Sequence, residues 1–139
     1  MNFKKFGSKY VIRIDKGEEI IQCLEKFCKE TGTRLASLSG IGASDKIVLG
    51  IFESSTKMYH KKEFKGDYEI TSLIGNISTL EGAPLVHLHI NLSGLDCLTV
   101  GGHLHSALVS VTCEIIVDVL EGEVSRIFHE ETGANILNI

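Results

Sequence analysis

Four of the six histidines lie in one stretch, Pro84 to His105, PLVHLHINLSGLDCLTVGGHLH, as two His-x-His pairs. His87 and His89 sit in an apolar run, and His103 and His105 follow Gly101–Gly102. Successive side chains of an extended strand point to opposite faces, so residues two apart share one. The pattern sets His87 and His89 on one face and Val86, Leu88 and Ile90 on the other. Cα atoms at that spacing stand about 6.5–7 Å apart. Two imidazoles so placed can lean onto one ion, with a zinc–nitrogen distance of about 2.0–2.1 Å.

The segment between the pairs supplies a third ligand. Ser93-Gly94-Leu95-Asp96 reads as a hairpin loop. Folding it carries Gly101–Gly102–His103 back towards Pro84–His89, and the two glycines permit a bulge or close approach that re-aims His103. Three imidazoles with a fourth position open are the ligand pattern of catalytic zinc. Other late first-row divalent metals suit the same donors. His105 is either a fourth ligand or a solvent-facing neighbour. The competing reading is a set of ordinary half-buried strand histidines. Two His-x-His pairs joined by one hairpin favour the site over that reading. Glu69, within Asp67-Tyr68-Glu69-Ile70-Thr71, is the candidate for a catalytic role, as an acceptor for a histidine N–H or as a general base on metal-bound water. An outward-facing strand carboxylate is the plainer alternative. His60 and His129 stand in polar surroundings and read as surface residues. No Cys–His neighbour argues for a thiol nucleophile, and no serine triad can be assembled.

The elements that must carry these residues are mostly strands. Phe6–Ile14 reads as a first strand. Asp15, three residues before Glu18, opens a box-like helix start. Ile20, Ile21, Leu24, Phe27 and Cys28 then form an apolar stripe at helical spacing, and Gly32 closes the helix. Beyond it, Gly40-Ile41-Gly42 reads as a bend. It lacks the GxGxxG spacing and the following helix of a dinucleotide site. Strands are expected over Asp45–Ser54, Lys57–Phe64 and Tyr68–Thr79, with Gly66–Asp67 as a turn and Tyr68, Ile70, Ser72 and Ile74 on one side. Glu81–Gly82 turns into the histidine strand. Ala107–Leu120 and Val124–His129 follow, and the tail Ala134–Ile139 reads as an edge strand. One principal helix and about eight strands joined by short turns predict an α+β fold with a largely antiparallel sheet. A chain of 139 residues with no repeat or linker is expected to be a single domain, 1–139.

Composition narrows the partners. The net charge is −4, from 14 Lys and Arg against 18 Asp and Glu. Lys4–Lys5 and Lys61–Lys62 are short basic pairs, with Lys57 and Lys65 near the second, and a duplex-binding face needs denser clustering. No run reaches the ~18–20 apolar residues of a membrane span. Cys23, Cys28, Cys97 and Cys113 form no CxxC motif, and reduced thiols in a cytoplasmic protein are the simplest reading. The N-terminal MNFKKFGSKY has no long apolar signal-peptide core.

At the histidines the chain resembles the PPC domain, the plant and prokaryote conserved domain that plant AT-hook nuclear proteins also carry. The resemblance runs in order through almost the whole sequence. It begins at Arg13 and Gly17-Glu18-Glu19 and continues through Ser39-Gly40-Ile41-Gly42-Ala43, Gly66-Asp67-Tyr68-Glu69-Ile70, Leu73-Ile74-Gly75-Asn76-Ile77 and Gly82-Ala83-Pro84. His87-Leu88-His89-Ile90, Gly101-Gly102-His103-Leu104 and Glu114-Ile115-Ile116-Val117 complete it. The resemblance implies a central antiparallel sheet, assembly as a homotrimer and, as in some members, a metal held by His87, His89 and His103. It also implies the DNA-binding description often given to stand-alone prokaryotic members. In the plant proteins DNA is contacted by an Arg-Gly-Arg-Pro AT-hook outside the domain, and nothing like it occurs here. The expectation is thus a homotrimeric protein with a zinc-like three-histidine site and a small-molecule or regulatory role. The alternative is a DNA-binding or transcription-associated interaction module.

Overall fold

Long β-branched runs with a single proline favour long strands, and the strands are longer than the sequence pattern predicts. The computed structural model describes residues Met1–Ile139. Its elements are β1 (Asn2–Phe6), β2 (Lys9–Asp15), α1 (Ile20–Thr31), β3 (Ala36–Glu53), β4 (Met58–Leu80), β5 (Ala83–Ser93), β6 (Thr99–Val119), β7 (Arg126–His129) and β8 (Ala134–Leu137). The fold is α+β, as expected, with every paired strand antiparallel to its neighbour.

The main sheet runs β1-β2-β6-β3-β4-β5, and β5 also pairs with β6. Strands β3, β4, β5 and β6 therefore close into a ring of pairings. Over its first residues β6 pairs with β5, from Thr99 to His103. Further along, β2 pairs with Thr112–Asp118 of the same strand. Helix α1 packs on β5 and β6 through Ile20, Cys23, Leu24, Phe27 and Cys28, all buried. Ile12 and Ile14 of β2, Leu73 and Ile77 of β4, Leu88, Ile90 and Leu92 of β5, and Ile115 and Val117 of β6 join them in one core.

Several boundaries differ from the sequence expectation, each for a local reason. The expected first strand is a hairpin: Gly7, at φ 61°, turns β1 back on β2. The helix begins at Ile20 instead of at Asp15. Glu18 does reach back to the Asp15 amide at 2.9 Å, but Gly17, at φ 85°, interrupts the helical path. Glu19 caps the helix instead: Oε2 accepts from the Gln22 amide at 2.8 Å, and Oε1 accepts from the Ala107 amide of β6 at 2.9 Å. Gly40–Gly42 is not a bend but part of the continuous β3, where a Cβ at Gly42 would sit 2.5 Å from the Thr112 carbonyl oxygen. Likewise Gly66–Asp67 is a bulge within β4, since Ser44 pairs with Tyr68 while Lys46 pairs with Lys65. A second irregularity, between Ile70 and Ser72 opposite β5, reverses the side-chain phase. Leu73 is consequently buried and Ile74 exposed, against the expected shared side for Tyr68, Ile70, Ser72 and Ile74. The tail forms β8, which pairs with β7 in a separate hairpin.

Candidate metal centre

The alternation read in β5 holds. Leu88 and Ile90 are buried, while His87 is half-buried and His89 exposed on the opposite face. Register with both neighbours fixes the group. His87 lies across from Asn76 and His89 from Ile74 of β4, and His103 of β6 pairs directly with His89. Close approach at Gly101 lets β6 reach this register, because a Cβ there would sit 2.8 Å from the Ile90 carbonyl oxygen. The ring centroids are 5.3 Å apart for His87–His89, 5.0 Å for His87–His103 and 5.5 Å for His89–His103. One ring nitrogen from each lies within 4.8 Å of the others.

These residues fit a divalent metal. Tetrahedral zinc with nitrogens at about 2.0–2.1 Å holds its ligand atoms about 3.3 Å apart, so each ring needs to move inward by less than about 1 Å. An all-imidazole donor set suits zinc, copper, nickel or iron and not magnesium or calcium. The metal, when bound, would supply Lewis acidity and a position for water or ligand.

The cluster forms part of the wall of a cavity of about 800 Å³ between the main sheet and the β7–β8 hairpin. The sheet contributes Gly50, Ile51, Phe52, Tyr59, Leu85 and Gly102 beside the histidines, and the hairpin contributes Arg126, Phe128, Gly133, Ala134 and Asn135. Tyr59 meets His103 edge-on at 5.8 Å. It fits because residue 50 has no side chain: a Cβ at Gly50 would lie 1.9 Å from the Tyr59 hydroxyl oxygen. Arg126 crosses the cavity wall to the sheet. Its Nε donates to Ser78 Oγ at 2.9 Å, and Nη2 donates to Asn76 Oδ1 at 3.0 Å and to His87 Nδ1 at 3.1 Å. Nη1 donates to the Asn135 carbonyl at 3.0 Å. The hairpin is anchored at its root. Thr79 donates its amide to the Val124 carbonyl at 3.0 Å, and Arg34 makes two bonds to Glu123 at 2.7 and 2.9 Å.

Burial, reinforced by the positive charge of Arg126 and by His103 and His89, pushes His87 down from 6.5 to about 4. His103 is lowered as well, chiefly by burial and then by His89, His105 and Arg126. Both rings are therefore neutral near pH 7, the form that can ligate a metal. A depressed histidine pKa means that the unfolded chain binds the proton more readily than the folded one. Stability from His87 is full above about pH 6.5 and is lost as pH falls towards about 4. Chemical denaturation of metal-free protein is expected to give a lower midpoint at pH 5 than at pH 7.5. A His87→Gln variant is expected to show a smaller difference between the two.

The other sequence candidates lie elsewhere. His105 is the extra residue of a bulge, because Leu49 pairs with Leu104 while the adjacent Val48 pairs with Ser106. Its Nε2 meets the Lys61 ammonium at 2.8 Å and not the cluster. Glu69 pairs with Ala43 and Ser93, four positions along β5 from His89, or about 13 Å at the rise of a strand. It does not line the cavity, and no carboxylate does. His60 bonds Glu53 at 2.9 Å and His129 meets Thr132 at 3.1 Å, both exposed contacts. Sequence reasoning missed Tyr59 and Arg126. For Arg126 the available signal was its alternation with Phe128 in β7, which puts both on one face.

A ring-closed antiparallel sheet with three convergent histidines under a hairpin defines a class of small β-rich proteins with a candidate metal centre. The model of the Plants and Prokaryotes Conserved (PCC) domain matches residues 1–121, and the chain belongs to that family. Solved structures agree. A metal-containing protein of Archaeoglobus fulgidus is 37% identical, with TM-score 0.90, over 100% of this chain and 99% of its own. A candidate DNA-binding protein of Bacteroides thetaiotaomicron is 36% identical, with TM-score 0.96, over 99% and 96%. A plant- and prokaryote-conserved (PPC) protein of Pyrococcus horikoshii is 31% identical, with TM-score 0.86, over 99% and 96%. Among curated proteins there is no match to the chain. No helix is long and apolar enough to cross a membrane.

Proposed function

We propose that this protein binds one divalent metal ion, zinc, through His87, His89 and His103, and uses it in a small-molecule or regulatory role as a cytoplasmic homotrimer. The observation that carries the reading is the convergence of three ring nitrogens, from β5 and β6, at a cavity large enough for a small molecule. The metal-containing description of the Archaeoglobus fulgidus relative supports it. Elemental analysis of protein purified without a histidine tag or added metal is expected to find about one zinc per chain. His87→Ala, His89→Ala and His103→Ala are each expected to remove it. Protein that stays metal-free after zinc is added and dialysed away would refute the reading. Glu69 as catalytic base belongs to the same proposal, and its distance from the cluster counts against it. Activity surviving Glu69→Gln, once a reaction is known, would exclude that role.

Support for the trimer comes from the outer sheet face. Val11, Ile116, Ser39, Ile74 and His89 occupy one cross-strand row, and the three aliphatic residues in it are exposed, as is nearby Ile41. Exposed aliphatic rows of this kind favour burial against another subunit. Sedimentation equilibrium is expected to give the mass of three chains, and a monomer at micromolar concentration would dispose of the trimer.

A second reading, DNA binding, is favoured by the description of the Bacteroides thetaiotaomicron relative. The acidic net charge opposes it. So does the engagement of the Lys61–Lys62 pair, with Lys61 on His105 and Lys62 over the Phe64 ring at 5.2 Å. Duplex DNA titrated at low salt decides it, because genuine binding would weaken steeply as salt rises.

A further inference from the structure

The cavity beside the histidines carries one cation, Arg126, with no acid to balance it. Arg126 is half-buried, and its four hydrogen bonds all go to neutral acceptors. None of the ion pairs within 4.0 Å involves its guanidinium, and no carboxylate lines the cavity. A buried charge without a counter-charge is costly. The cost rises when a divalent metal is added to the three imidazoles, one of which lies 3.1 Å from Nη2. A neutral imidazole offers one ring lone pair. If His87 gives it to a metal through either nitrogen, Nδ1 can no longer accept from Arg126. One Nη2–H is then released at the cavity wall, beside an Nη1–H that has no partner in the structure.

We propose that the cavity binds a small organic carboxylate, with Arg126 as the seat of its charge and the metal position as its second point of attachment. This rests on the three-histidine reading, both for the second point and for the Nη2–H that His87 releases. Arg126 belongs to the hairpin, beyond the residues matched by the family model. A planar guanidinium with two free N–H groups matches the two oxygens of a carboxylate. A phosphate dianion would call for further donors, and no lysine or second arginine lines this cavity. The rest of the lining suits an apolar body: Ile51, Phe52, Leu85 and Phe128. The ligand class is thus a monocarboxylate carrying a short aliphatic or aromatic group.

Isothermal titration calorimetry on the whole protein tests this, with 3-methylbutanoate, benzoate, 3-methylbutanamide and inorganic phosphate as probes, on zinc-loaded and chelator-treated samples. At least one of the two carboxylates is expected to bind. The amide, equal in shape but uncharged, is expected to bind at least about tenfold more weakly, as is phosphate. Arg126→Gln is expected to weaken carboxylate binding by about tenfold or more while leaving zinc content unchanged, and Arg126→Lys to recover part of the loss. The amide comparison needs no variant, so it stands if Arg126→Gln fails to fold. Zinc bound at one per chain, with carboxylate and amide binding equally or not at all, overturns the carboxylate site and leaves the metal reading intact. Arg126-dependent carboxylate binding in protein that takes up no zinc overturns the metal reading and the two-point site with it, and leaves Arg126 alone as the anion's seat. Phosphate binding more tightly than either carboxylate overturns the proposal.

Discussion

Replacing Gly75 with alanine is expected to lower the melting temperature by about 10 °C or more and to cut zinc binding well below one per chain. Gly75 of β4 pairs with Leu88 of β5, between His87 and His89. A Cβ there would lie 1.9 Å from the His87 carbonyl oxygen and 2.9 Å from its carbonyl carbon. These are backbone atoms of the strand that bears two of the three histidines, so no side chain can swing aside to relieve the clash. Separating β4 from β5 at this point would disrupt the pairings on either side and leave Leu88 poorly packed. A cost of about 3 kcal/mol or more is expected from overpacking of this kind, a large share of the ~5–15 kcal/mol that holds a domain folded. Gly7→Ala is the control. It has open space around it and costs only left-handed backbone strain, about 1–2 kcal/mol. Calorimetry and zinc analysis on the two variants measure both effects. A Gly75→Ala protein that melts within about 2 °C of the parent and keeps its zinc would show that the strands separate without cost.

Zinc itself is expected to have the next largest effect. A ligand that binds the folded chain and not the unfolded one stabilises it by about 4.1 kcal/mol at a thousand times its dissociation constant. For a chain of this length that corresponds to a rise in melting temperature of about 10 °C or more. The site draws together residues 87, 89 and 103 from two strands, so the unfolded chain offers no equivalent arrangement. His103→Ala is expected to abolish the rise. His105→Ala, which removes a ring bonded to Lys61, is expected to leave it intact. Scanning calorimetry of chelator-treated protein with and without zinc gives the answer. An unchanged melting temperature in the parent would count against metal binding and turn attention to the histidines as structural residues.

Much of this arrangement was legible in the chain. Period-two alternation around His87 and His89 survives in the structure because one face of β5 is buried, and a register slip would expose Leu88 and Ile90. The loop at Ser93–Asp96 marked the hairpin, and a hairpin there brings His103 beside His89. Helix α1 was legible from its stripe and from Gly32, which adopts φ 73° at its end. Less legible were the places where a strand changes phase. Gly66–Asp67 has the composition of a turn, but with β3 continuous alongside, it is accommodated as a bulge within one strand. His105 has the same spacing from His103 as His89 has from His87, yet the bulge at Leu104–Ser106 sends it to Lys61. Bulges depend on what the partner strand does, and a single strand's pattern does not report that.

The sequence by itself determined the α+β class, the helix, the hairpin and the grouping of His87, His89 and His103, because each follows from side-chain periodicity and turn chemistry within a short span. It also specified the family, through motifs carried in order along the chain. Only the tertiary structure decided that Glu69 lies outside the cavity, that Tyr59 fills the space left open by Gly50, and that Arg126 reaches Asn76, Ser78 and His87 from a hairpin 39 residues beyond that histidine. Those contacts are set by the closure of β3, β4, β5 and β6 and by the anchoring of the β7–β8 hairpin through Thr79 and Arg34. Closure is a property of the whole sheet. Local pattern fixes which face a residue takes, and only long-range pairing fixes what stands opposite that face.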